Sequence, residues 1–196
     1  MPSTLPTRAA ALTSCAAAMW LVRVIDFIVP GPGSAAGHGI IPRTVIGLQG
    51  IVAAPFIHVD FGHLVANTIP FLILGALVLL RGVGGFLFVV VTTALVAGAG
   101  TWLFGAGGTQ HVGASGIVFG LFGYLVFRTA FDRRLSSLLV TLAVALVYGT
   151  AMLWSLIPAQ GISWSGHLFG FAGGVVAARL RYPRRRAGVT AGAALA

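Results

Sequence analysis

The chain has 196 residues, of which 58% are hydrophobic and only 8% charged, where an ordinary soluble domain carries about 25% charged residues. Its formal charge of +9 comes from twelve arginines against three aspartates, with no lysine and no glutamate. This composition excludes a typical soluble globule and suits one polytopic all-α membrane bundle; the arginines fall mostly in short runs between apolar spans, which marks topology and not a nucleic-acid surface.

A transmembrane helix needs roughly 20 apolar residues. Six such runs are predicted, at about 9–29, 63–80, 85–103, 115–131, 137–157 and 163–180. Residues 1–8 read as an N-terminal tail, 9–180 as the membrane domain, and 181–196 as a basic, disordered tail. The first run holds Arg23 and Asp26, three residues apart and able to pair, and lacks a clear cleavage pattern, so it reads as a retained span. Cys15, the one cysteine, cannot form an intrachain disulfide.

The connection after the first span is long. It opens with PGPGSAAGHG, an irregular stretch. It continues with IIPRTVIGLQGIVAAPFI, too apolar for a solvated loop and too broken by Pro and Gly for a span. Two readings stay open there: an interfacial, partly inserted segment, or a surface loop with one amphipathic helix. The later connections are RGVGG, GAGGTQHV, FDRRLSS and PAQGIS.

Arginines orient the bundle. Arg8, Arg81, Arg128, Arg133, Arg134, Arg179, Arg181 and Arg184–Arg186 all fall on one side of a six-span arrangement. The other side holds Arg43 and Asp60. Cytoplasmic loops collect Lys and Arg, so both termini are expected in the cytoplasm. The long first loop, GAGGTQHV and PAQGIS then face outward.

Polar groups are costly in a bilayer and are functional candidates by default. Ser115 starts the fourth span and His167 lies one turn into the sixth. His63 and Asn67, the sole asparagine, start the second at i and i+4. All four are shallow and at similar depth below the outer face. A serine in a span, or GxxxG spacing, is by itself an ordinary packing feature. The conjunction of these residues on three spans at one depth is not. Gly113, Gly116, Gly120 and Gly123 recur along span four, and Gly166, Gly170, Gly173 and Gly174 along span six. Such small residues let the two helices approach closely enough for Ser115 to meet His167. A hydroxyl within reach of an imidazole is an activated nucleophile. His63, Asn67 and the Ser115 N–H can donate to a developing oxyanion.

Other proteolytic chemistries fit less well. A HExxH zinc protease needs glutamate. Asp60 and Asp132 fall on opposite sides, which disfavours an aspartyl dyad. No metal-ligand spacing links His58, His63, His111 and His167, so no metal and no cofactor is expected.

At these residues the chain resembles the rhomboid family of intramembrane serine proteases. GASG (113–116) followed by IVFGLFG resembles the nucleophile motif of the fourth core helix. GHLFGFAGG (166–174) resembles the sixth-helix motif that carries the general base. PFIHVDFGHLVANT (55–68) resembles the entry to the second helix. The resemblance covers roughly 9–180, in the six-helix bacterial arrangement, and implies a plasma-membrane protease that cuts transmembrane protein substrates. It implies Ser115 as nucleophile and His167 as base. His63, Asn67 and the Ser115 N–H would hold the oxyanion, and Phe119 would pack beside His167. Gly113, Gly116, Gly170 and Gly174 would support the site. His58 and Asp60 are expected to order the loop. One departure stands out: family members often carry a Trp-Arg pair where this chain has Gln49 and Gly50. That pair helps structure the first loop.

Two rival functions are weighed. A catalytically inactive relative could bind transmembrane clients, but Ser115 and His167 are both present. A small transporter lacks support from internal repeats or intramembrane acid pairs. Partners are thus expected to be transmembrane substrates and membrane lipid, not nucleic acid. Sequence leaves the oligomeric state open.

Overall fold

The structure is a computed structural model, and it describes residues 3–29, 31, 35–159 and 161–182. The basic tail expected from 181 lies outside the described residues after Tyr182, as does most of the PGPG stretch.

Among the described residues seven α-helices follow in chain order: α1 Leu5–Ile28, α2 Gly50–Ala53, α3 Phe61–Leu79, α4 Val83–Phe104, α5 Ser115–Asp132, α6 Leu135–Trp154 and α7 Trp164–Arg181. α1 begins inside the expected N-terminal tail. Thr4 accepts from the Thr7 N–H, and Pro6 fits the first turn, where its missing donor is not needed. The six long helices stand where the six apolar runs are predicted. Four of them, α1, α3, α4 and α6, are long and apolar enough to cross a bilayer.

α5 and α7 fall outside that set, and α5 is the most enclosed helix of the bundle. Every residue of α5 from Ile117 to Leu125 is buried. α5 packs on α3, α4, α6 and α7, with its closest association to α7. Its glycines make that possible. A Cβ at Gly120 would run into Thr93 of α4, and one at Gly174 into the Gly120 carbonyl. A helix enclosed in this way does not need an apolar surface on every side. α6, by contrast, buries little beyond Ser137, Val144 and Met152.

From Ile40 onward the first loop is folded. Ile46–Phe56 forms an apolar helical segment too short to cross a membrane. It leaves Ile46, Leu48 and Val52 exposed while Ile51 packs on Gly98 of α4. An apolar outer face of this kind suits the lipid boundary better than water. The loop is fastened by Arg43, whose Nη1 donates to the Leu103 and Gly105 carbonyls at 3.1 and 2.8 Å. Trp102 Nε1 returns a bond to the Thr44 carbonyl at 2.8 Å. Gly50 lies against the backbone of Gly39 and Ile40 and has no room for a Cβ.

Candidate active site

Ser115 is the first residue of α5, so its N–H and those of Gly116 and Ile117 have no acceptor within the helix. The first helical bond at this end runs from Val118 to the Ala114 carbonyl, 3.0 Å. These free amides and the helix dipole favour negative charge beside the serine. Just before it, Gly113 adopts φ +108°, a conformation suited to glycine. The turn is pinned on two sides: the Gly113 N–H donates to the Ala54 carbonyl at 2.8 Å, and the Ala114 N–H to His58 Nε2 at 3.4 Å.

His63 lies over this turn. A Cβ at Gly113 would stand 2.7 Å from its Cε1 and 2.8 Å from its Nε2, so only glycine lets the imidazole approach. The Nδ1 of the same ring is buried and has no hydrogen-bond partner among the described residues. Asn67, one turn on and buried, donates from Nδ2 to the His63 carbonyl at 2.8 Å. Its amide also lies beside Gly113. Asp60 caps α3 by accepting from the His63 N–H at 2.6 Å, which fixes the helix start that presents both side chains.

His167 approaches from α7. A Cβ at Gly170 would strike the Gly116 carbonyl, so the two helices touch backbone to backbone at the residue next to the serine. The imidazole stacks flat on Phe119, with 4.2 Å between centroids and 5° between planes. Its Nδ1 lies 2.8 Å from the Ser155 carbonyl at the end of α6. A carbonyl only accepts, so Nδ1 carries the proton and Nε2 keeps its lone pair. That is the tautomer a general base needs. The Ser115 hydroxyl and His167 share no hydrogen bond in this resting arrangement, and such bonds often tighten only with substrate.

A small cavity opens beside Ser115, about 30 Å³ measured at water centres, which is enough for a water molecule. Gly113, Gly116, Thr101, His111, Ser163 and Gly166 are among its lining residues. His58 is buried and its pKa falls to about 4, first through loss of solvent and second through nearby His63. Neutral His58 can therefore keep accepting from Ala114. Among the described residues no cluster of three His, Cys, Asp or Glu could hold a metal.

The structure thus gathers Gly113, Ser115, Gly116, Phe119, His63, Asn67, His167 and Gly170 about one small region. Gly174 lies further along the α5–α7 seam, against Gly120. Asp26 pairs with Arg23 at 3.7 Å, away from this region. Sequence reasoning missed Ser155, which acts through its main chain, and Ser163, which bonds His111. A serine ahead of an apolar run is a cap signal and could have flagged Ser163.

Comparison with known proteins converges on the same segment. The family model described as Rhomboid domain matches residues 47–184. An uncharacterized protein of Mycobacterium tuberculosis (strain ATCC 25618 / H37Rv) is 39% identical over 181 residues, 87% of this chain and 74% of the relative. An uncharacterized protein of Mycobacterium leprae (strain TN) is 37% identical over 173 residues, 84% of this chain and 67% of the relative. A Bacillus subtilis (strain 168) protein that bears the provisional name of a rhomboid protease is 32% identical over 125 residues, 63% of this chain and 62% of the relative.

Proposed function

The chain belongs to the rhomboid family, and we propose that it is an intramembrane serine endopeptidase working through a Ser115–His167 dyad. The observation that carries this reading is the state of His167: stacked on Phe119, with Nδ1 held by the Ser155 carbonyl and Nε2 left basic. The carbonyl takes the orienting part that an aspartate plays in a triad.

In this mechanism Ser115 Oγ attacks the scissile carbonyl while His167 Nε2 takes its proton. The Ser115 N–H, His63 and Asn67 stabilise the oxyanion. His167 returns the proton to the leaving amine, and water then hydrolyses the acyl-enzyme by the same route. Substrates are single-span membrane proteins. The enzyme works as a six-span bundle in a bacterial plasma membrane, with the site near the outer face and both termini in the cytoplasm. The arginine distribution supports that orientation.

The test is a fluorophosphonate probe with the purified protein. Wild type is expected to be labelled at Ser115 and to cut a transmembrane substrate; Ser115→Ala loses both. His167→Ala loses cleavage, and the double variant is no worse than either single change, because the pair acts as a unit. Cleavage surviving in purified Ser115→Ala overturns the reading.

A further inference from the structure

His111 lies four residues before Ser115 and has no part in the chemistry above, yet it is bonded on three sides. Its main chain exchanges two hydrogen bonds with Ile40 of the first loop, each 2.9 Å. Its Nδ1 lies 2.7 Å from the Ser163 hydroxyl and its Nε2 2.9 Å from the Thr109 hydroxyl. The proton positions follow from the partners. Thr109 gives its single hydroxyl proton to the Ala106 carbonyl at 2.6 Å, so it must accept from His111 Nε2–H. Nδ1 of the neutral ring is then the lone-pair nitrogen and accepts from the Ser163 hydroxyl. Burial lowers the His111 pKa and favours this neutral form.

Ser163 immediately precedes α7, and its carbonyl accepts the His167 N–H at 3.0 Å. A continuous chain of bonds therefore runs from the loop that leads into Ser115, through the His111 ring, to the first turn of the helix that carries His167. The seam between α5 and α7 needs such a fixture. Gly116 and Gly170 meet backbone to backbone, which allows close approach but sets few side-chain knobs against sliding.

We propose that His111 is a positioning residue, a clasp between the nucleophile loop and the start of α7 that sets the register of Ser115 against His167. Its catalytic consequence rests on the Ser–His reading above. His111→Phe keeps a ring and removes both side-chain bonds. It is expected to lower kcat by about ten- to a hundredfold, the scale of a small misplacement of reacting groups, and to leave KM within about twofold. His111→Gln, which offers both an acceptor and an N–H, restores most of the loss. Ser163→Ala, the milder change should His111→Phe not fold, gives the same loss, and the double variant is no worse than either.

A wild-type kcat in His111→Phe, a loss confined to KM, or losses that multiply in the double variant would each overturn the proposal. Hydrogen exchange gives a readout that does not need activity: amides at 109–114 and 164–167 exchange faster together in His111→Phe. Unchanged exchange in either segment overturns the clasp. If wild type neither cuts nor takes the probe at Ser115, the protease reading falls, and the exchange result alone decides whether the clasp exists.

Discussion

Gly170 rests on the main-chain carbonyl of Gly116, with no room between them for a Cβ. Gly170→Ala is therefore expected to force α5 and α7 apart, at about 1–3 kcal/mol for an overpacked site, and to abolish cleavage. Gly149 on α6 is the contrast, since nothing lies within 4 Å of a Cβ there. Gly149→Ala should stabilise by up to about 1 kcal/mol through helix propensity. Thermal unfolding of the two variants checks this; equal responses at 170 and 149 would refute the packing argument.

That contact was half legible in the sequence. Helical glycine spacing announced a close seam, and polar residues in apolar runs marked Ser115, His167, His63 and Asn67 as candidates, because a bilayer makes such residues conspicuous. What stayed hidden was backbone chemistry. The Ser155 carbonyl that fixes the His167 tautomer belongs to a group every residue has, so no residue type marks it. The first loop hid for another reason. Arg43 and Trp102 fasten it across 58 to 62 residues of chain, a pairing that depends on how α4 packs. Span counting is matched by apolar length at α1, α3, α4 and α6 and not at α5 and α7, where Arg128, Asp132, Arg179 and Arg181 fall inside the helices.

Oxyanion support is predicted to be graded. Loss of one such donor costs about 2.7–4 kcal/mol, or about 10²–10³ in kcat. Asn67→Ala and His63→Ala are each expected to fall in or below that range, because the Ser115 N–H and one side chain remain. Probe labelling of Ser115 should slow in both but persist. Steady-state rates on a transmembrane substrate measure the effect, and wild-type turnover in His63→Ala/Asn67→Ala would remove both residues from the mechanism.

Acid should loosen the nucleophile turn through His58. Its folded pKa of about 4 lies below the ordinary value of 6.5, so the unfolded chain binds the extra proton in between. Stability from this group is full above pH 6.5, declines as pH falls toward 4, and is flat below. The whole effect is at most about 3 kcal/mol. His111, also shifted down by burial, adds a slope of the same sign. His58→Phe should therefore flatten part of the decline, not all of it. Melting curves of both proteins from pH 7 to 4 provide the check; parallel curves would mean that His58 is not the titrating group.

The position of the cut follows from where Ser115 sits. As the first residue of α5 it lies at the helix end, beside the first loop, not midway along a span. A helical substrate hides its carbonyls in i→i−4 hydrogen bonds, so the scissile segment must unwind before attack. Helix-weakening residues lower that cost, by about 1 kcal/mol for Gly and about 3 for Pro relative to Ala. The cavity beside Ser115 is small, about 30 Å³ at water centres, and several of its walls are glycine backbone. Gly98, Gly113, Gly116 and Gly166 are among its lining residues, and a small side chain before the scissile bond is expected to suit this cavity best. Cleavage is thus expected near the outer end of the substrate's span, after a small residue, and faster when that segment is helix-weakened. Mass spectrometry of the products locates the cut. Cleavage at the span's centre, or rates indifferent to helix-strengthening Leu substitutions, would show that Ser115 meets its substrate in some other way.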